Sequence, residues 1–201
     1  MPRVLTQTDV ADFRERLCEA ATRLFDAKGR EGFTMRELAS ELGVSAMTPY
    51  RYFRDKDDIL AAVRARAFNR FATSLETAFG NAASAPEKSA AVYQAYVAFA
   101  FGEPAAYRLM FDLSQPDESA YPELVEANTR ARATMTDYVR ALVKDNILEG
   151  DPDLIGHVFW ASLHGAVVLK LAGKLGAQYD FDRISAESFR VLFEGYQPKR
   201  R

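Results

Sequence analysis

Apolar residues recur at three- and four-residue steps almost throughout this chain, with no period-two alternation of strand length, so the pattern predicts an all-α protein. The first stripe is Val10, Phe13, Leu17, Ala20, Ala21, Leu24 and Phe25, which predicts a helix over 9–28 ended by Gly29. A short second helix follows Gly32. Thr34 stands at its N-cap with Glu37 three residues on, and Phe33 and Leu38 can close a hydrophobic staple; Gly43 ends it. Ser45 starts a third helix over 45–53, and Asp55 starts a fourth running from Lys56 to about residue 80.

Punctuation divides the rest. Residues 80–86 read as a loop. Helices are expected over 86–101, in a short stretch from Pro104, over 122–150, over 152–174 and over 182–195, with a loop at 114–121 and a solvated tail from Pro198. The total is about nine helices. They group into a head, 1–57, a connector that continues from residue 56 to about 80, and a body, 81–201.

The densest chemistry lies in residues 34–56, TMRELASELGVSAMTPYRYFRDK. Two short helices joined by a glycine-containing turn form a helix-turn-helix pattern. Leu38, Ala39, Leu42, Val44 and Phe53 form its buried side. Ser45, Ala46, Met47, Thr48, Tyr50, Arg51 and Tyr52 lie on or beside the outward face of the third helix. Such a face fits the DNA major groove: Ala46 and Met47 suit base edges and thymine methyls, while hydroxyls and arginines suit phosphates. Thr34, Arg36 and Lys56 add phosphate-binding candidates. A lysine in a first helical turn opposes the helix dipole, a local cost that an anion there would offset.

Charge alone does not point to DNA. The net charge is −2, and residues 1–66 carry 12 Lys and Arg against 11 Asp and Glu, while the remainder carry 14 against 17. The weak balance speaks against a non-specific binder that neutralises many phosphates. The single cysteine, Cys18, excludes an internal disulfide and a cysteine-based metal site. No apolar run approaching ~18–20 residues is evident, and no secretory leader, so the expected place is the cytoplasm, without a membrane. No phosphate loop or nucleophile motif appears. His157 and His164 are seven residues apart, ~10.5 Å along a helix, too far to share a metal. Neither a metal, a cofactor nor an enzymatic activity is expected.

The segment LFDAKGREGFTMRELASELGVSAMTPYRYFRDKDDIL, residues 24–60, resembles the TetR/AcrR family of regulators. That family often has leucine where Pro49 stands. By this resemblance Thr34 and Lys56 match phosphate-contacting positions. Ser45, Met47, Thr48, Tyr50 and Tyr52 match positions on or beside the recognition helix. Trp160, His164 and Gly165, with PAAYRLMFDL at 104–113, are similar to the WHG-type C-terminal domain of part of that family.

The resemblance implies a regulator, with a repressor released by a small molecule favoured over an activator or a protein-triggered switch. It implies a homodimer formed by helices 152–174 and 182–195. The residues agree, because Val158, Leu163, Val167, Leu171, Phe189, Leu192 and Phe193 need covering. Two heads about 34–36 Å apart would read a near-palindromic double-stranded operator. Candidate pocket residues for an apolar or aromatic effector are Tyr93, Phe99, Tyr107, Met110, Phe111, Tyr138, Trp160 and His164.

Overall fold

A computed structural model describes residues 6–29, 32–112 and 117–199. Residues 113–116, within or beside the expected loop at 114–121, and the end of the expected C-terminal tail lie outside it. Among the described residues there are eight α-helices, two short 3-10 turns and no strand. The helices are α1 (Gln7–Lys28), α2 (Met35–Glu41), α3 (Lys56–Asn81), α4 (Ala85–Gly102), α5 (Pro104–Met110), α6 (Pro122–Lys144), α7 (Pro152–Leu171) and α8 (Phe181–Gly195). The 3-10 turns are Pro49–Arg51 and Glu118–Ala120.

Local chemistry sets these limits. Thr6, Thr34 and Ser84 each form a reciprocal capping box, with Asp9, Glu37 and Glu87 respectively. Asp55 accepts from the Asp58 amide at 2.8 Å, which starts α3. α2, α6 and α7 are each followed by a left-handed residue, Gly43, Asn146 and Gly173 respectively. In each case the next amide reaches back five residues: Val44 to Ala39 at 3.0 Å, Ile147 to Leu142 at 2.9 Å, and Lys174 to Leu169 at 2.9 Å. Asn146 therefore ends α6 at Lys144, short of the expected limit near Gly150.

The expected helix over 45–53 is absent. Residues 45–52 are instead held by bonds three residues apart: Thr48 N–H to Ser45 at 2.9 Å, Arg51 to Thr48 at 3.1 Å, and Tyr52 to Pro49 at 3.0 Å. Pro49 has no N–H for the first α-helical bond, so the chain takes the tighter 3-10 form there.

The chain divides into two compact units. The first comprises Met1–Asn69 and Ala105–Asn128, so the described residues 105–112 and 117–128 of the expected 81–201 body group with the N-terminal head. Its core joins Leu17, Ala21 and Phe25 of α1 to Phe33, Leu38, Phe53, Ile59 and Leu60, and takes in Leu109 of α5. Arg108 pairs with Asp26 of α1, and Phe111 meets Phe68 edge-on at 6.0 Å. The Arg64 guanidinium is buried, bonded to the Met110 carbonyl at 3.3 Å and paired with Glu118. Asn128 donates to the other Glu118 oxygen at 2.7 Å.

The second unit comprises Arg70–Pro104 and Thr129–Arg201. Phe71 packs edge-on against Tyr96 and Phe99, both at 5.2 Å. Val139, Leu142, Leu148, Ile155 and Phe159 form a core beneath Leu192, Phe193 and Tyr196 of the C-terminal end. Gly156 lets α7 lie against α6: a Cβ there would sit 2.7 Å from the Met135 carbonyl and 2.8 Å from Thr136 Cγ2. By length and composition α7 is apolar enough to cross a bilayer, which corrects the expectation that no stretch approaches this. Its inner face, with Ile155, Phe159, Ala166 and Val167, is buried in its own unit.

Candidate nucleic-acid interface and ligand cavity

Residues 45–52, the candidate reading segment, form a ledge on the head that is packed from beneath. Below it, Pro49 and Phe53 are buried. Arg14 of α1 lies over the Phe53 ring at 4.3 Å and donates to the Tyr52 carbonyl at 2.7 Å. The Tyr52 ring packs on Phe13 at 4.8 Å. A side-chain bond of 2.9 Å joins Ser45 to Thr48, closing the turn that follows Gly43.

What remains outside is Ser45, Ala46, Met47, Tyr50 and Arg51, with Arg36 of α2 beside them in sequence order on the preceding helix. Met47 is 69% exposed and Tyr50 47% exposed, large side chains that the unit itself does not cover. Arg36 and Arg51 make no ion pair among the described residues, unlike Arg23, Lys28 and Arg54, which are paired with Glu41, Glu37 and Asp58. Two positive charges are thus left for an external anion.

Thr34 and Lys56 stand at the two helix starts. The Thr34 hydroxyl accepts from the Glu37 amide at 3.2 Å, and Glu37 accepts from Thr34 N–H at 2.9 Å. Lys28, at 2.8 Å, and then the Thr34 amide hold the Glu37 carboxyl below its usual value. Lys56 is half-buried, with its ammonium 5.6 Å from the Phe33 ring centre. Arg14, which the sequence reading did not single out, braces the segment from α1, while Arg54, expected to add charge beside Arg51, pairs with Asp58 instead. Only contacts distant in sequence, such as Arg14 to Tyr52, mark Arg14 out.

The second unit holds an inner chamber of about 40 Å³. α4 lines it with Ser89, Val92, Tyr93 and Tyr96; α6 with Met135 and Tyr138; α7 with Phe159, Trp160, Ser162 and Leu163; and α8 with Ser185, Ser188, Phe189 and Leu192. Beside it an outer groove of about 400 Å³ lies along α4 and α8, between Pro86, Ala90, Gln94, Ala186 and Phe193. Ser89, Tyr93, Ser185 and Phe189 border both spaces. Tyr93 and Ser185 hydroxyls are 3.0 Å apart, and Trp160 donates to the Tyr96 hydroxyl at 3.2 Å.

Of the pocket candidates, Tyr93, Tyr138 and Trp160 line this chamber. Phe99 does not; it is buried against Phe71. Tyr107, Met110 and Phe111 belong to the first unit, where Tyr107 and Met110 are fully buried and Phe111 stacks edge-on with Tyr107 at 5.1 Å. His164 sits one turn beyond Trp160, ring centres 6.3 Å apart, outside the lining; burial pushes its imidazole down, toward the neutral form. The four serines of the lining were not among the candidates, because a serine on a half-buried helix face reads as an ordinary polar edge.

Residues 17–63 match the family described as bacterial regulatory proteins, tetR family, and residues 89–194 match the tetracyclin repressor-like C-terminal domain. Over 68 residues the chain is 40% identical to the HTH-type transcriptional regulator SAB2452 of Staphylococcus aureus (strain bovine RF122 / ET3-1), an alignment of 34% of this chain. The chain spans only 37% of that relative's length. The fold is similar to a protein with unknown function from Rhodococcus sp. RHA1, with a TM-score of 0.80 at 26% identity, over 98% of this chain and 100% of that one. It is also similar to the transcriptional regulator FadR from Bacillus subtilis, solved in complex with stearoyl-CoA. There the TM-score is 0.74 at 18% identity, over 91% of this chain and 99% of that one. These families are of regulators, not enzymes, and with both matches together covering most of its length the chain belongs to the TetR family of bacterial transcriptional regulators.

Proposed function

We propose that this regulator acts in the cytoplasm as a homodimeric repressor, reads a near-palindromic operator with residues 45–52, and leaves it when a small molecule occupies the cavity of the second unit. The observation that carries the reading is the ledge itself. Met47 and Tyr50 are held outward by a buried underside, next to two arginines without ion pairs. Met47 and Ala46 would meet base edges, Tyr50 and Thr48 bases or phosphates, and Arg36, Arg51, Thr34 and Lys56 phosphates.

An uncovered stripe on α7 supports the dimer. Leu154, Val158, Ala161, Gly165, Val168 and Ala172 follow one another at three- and four-residue steps, and Leu154 and Val168 are 60% and 42% exposed. Small residues at its centre would let a partner helix approach closely; a Cβ on Gly165 meets nothing within 4 Å in this chain. Val167, expected on that face, is fully buried in its own unit. The FadR complex with stearoyl-CoA supports a small-molecule trigger by analogy of fold. Release requires the ligand to favour the DNA-incompetent state, and α3, which belongs to both units, is the lever.

The test is selection of bound duplexes from a random pool by wild type, Tyr50→Ala and Lys56→Ala. Wild type is expected to enrich an inverted repeat. Lys56→Ala should weaken binding to all duplexes and lower the salt slope by about one. Absence of any enriched sequence at low and moderate salt would overturn the reading.

A further inference from the structure

Every side chain that lines the chamber and the adjoining groove is uncharged: no Lys, Arg, His, Asp or Glu contributes to either. The polar groups are hydroxyls, one amide and the Trp160 indole N–H, and they come from every wall. Ser89 is on α4, Tyr138 on α6, Ser162 on α7 and Ser188 on α8. Two of them are unspent. The Tyr138 hydroxyl makes no hydrogen bond among the described residues, nor does that of Ser89, although Ser89 is only 6% exposed. Neither oxygen is sealed from solvent, so each can donate to an acceptor that enters the cavity.

We propose that this site takes an uncharged, largely apolar ligand that carries a hydrogen-bond acceptor such as a carbonyl, with its body in the α4–α8 groove and its acceptor group in the inner chamber, bonded by Tyr138 and Ser89. The inference rests on the reading of the cavity as the effector site and narrows it. The dimensions agree. A groove of about 400 Å³ lies at the small end of ligand pockets, and a chamber of about 40 Å³ holds a small polar group or roughly three waters. Burial pushes the Tyr138 phenol well above its usual value, so it remains a protonated donor across the physiological range. A carboxylate or phosphate carried into the same space would lose its hydration with no cation to replace it. Ser89 borders both spaces, and the polar group passes between them where Tyr93, Ser185 and Phe189 form the partition. Phe189, between Phe159 and Phe193 and 37% exposed, stands at that partition.

A matched pair of probes, methyl 2-naphthoate and 2-naphthoate, shares one ring system and differs in charge. Binding of each to the full-length protein is measured by calorimetry, for wild type, Tyr138→Phe and Ser89→Ala. The ester is expected to bind at least tenfold more tightly than the carboxylate. Each variant should weaken the ester about fivefold or more. Equal or tighter binding of the carboxylate, ester affinity unchanged in both variants, or no binding of either probe overturns the proposal. The comparison of the two probes on wild type stands even where a variant fails to fold. A second arm separates the two readings: if the ester binds as expected but does not displace the protein from its selected duplex, the effector reading fails while the ligand class holds.

Discussion

Arg64 shows how one side chain can hold two distant stretches of sequence together. Its guanidinium has a side-chain exposure of only 5%, and Glu118, at 32%, is its ionic partner. Removing one member of such a pair leaves a buried charge uncompensated. Glu118→Ala should therefore lower stability by about 2–3 kcal/mol, somewhat less than for a fully buried pair, because Glu118 keeps some contact with water. Urea unfolding checks this; a loss below about 0.5 kcal/mol would mean that the Met110 carbonyl and water suffice for Arg64. Capping carboxylates act on the same scale through pH. The Thr6 amide holds Asp9 below its usual 3.8, Lys28 and then the Thr34 amide hold Glu37 below its usual 4.5, and the Ser84 amide does the same for Glu87. A group lowered in the folded state takes up its proton first in the unfolded chain. Its contribution is thus full above about pH 4.5 and is lost as pH falls through the lowered folded values. The urea midpoint should fall between pH 5 and pH 3.5, and less steeply in Glu37→Gln, which keeps an acceptor but no titrating group. Equal slopes would show that Glu37 adds nothing.

At the scale of the element, two glycines on one helix should respond oppositely. Alanine ordinarily stabilises a helix relative to glycine by about 1 kcal/mol. At Gly165 nothing stands within 4 Å of the added Cβ, so Gly165→Ala should keep or raise the stability of the isolated chain. At Gly156 the Cβ would meet the Met135 carbonyl at 2.7 Å, so Gly156→Ala should cost about 1–3 kcal/mol despite the better propensity. Thermal unfolding of the two variants in parallel decides it. If both rise in Tm, α7 is free to move away from α6. Legibility in the sequence follows the same division. Thr34 with Glu37, Asp55 and Gly43 act over one turn, and their roles could be read directly. Asn146 was missed because a lone asparagine signals a helix end less strongly than glycine does. The expected helix over 45–53 failed on Pro49, where a missing N–H outweighed the apolar spacing. For the cavity, spacing shows which face of a helix is apolar but not which neighbour that face meets. Tyr93, Tyr138 and Trp160 accordingly line the chamber, while Phe99, Tyr107 and Met110 are buried elsewhere and Phe111 packs on Tyr107, and the lining serines carry no apolar signal to read.

On the scale of the whole molecule, the proposed function is that of a homodimer. Along the stripe from Leu154 to Ala172, Leu154, Ala161, Val168 and Ala172 are exposed in the single chain and Val158 is half-buried, which leaves apolar side chains for a partner to cover. Val168→Glu places a charge on that row without touching either unit's core, since Val168 is 42% exposed. Sedimentation should show wild type as a dimer and Val168→Glu as a folded monomer, with operator affinity reduced at least tenfold because each half-site is then bound alone. A wild-type monomer, or a Val168→Glu dimer of unchanged affinity, would remove α7 from the interface. The packing of α5 and the start of α6 with the head also matters here, because the unit that carries the proposed reading segment is larger than the helix-turn-helix alone.

The most direct test of the central claim is the ratio of affinities for the selected inverted-repeat duplex and a duplex with scrambled half-sites, measured at equal salt for wild type and Tyr50→Ala. A sequence-reading protein should prefer its site by about 10³-fold or more, and Tyr50→Ala should lose about 10- to 100-fold of that preference while its affinity for the scrambled duplex changes little. Equal affinities of wild type for the two duplexes, or a preference untouched by Tyr50→Ala, would contradict the assignment of residues 45–52 as the part that reads DNA.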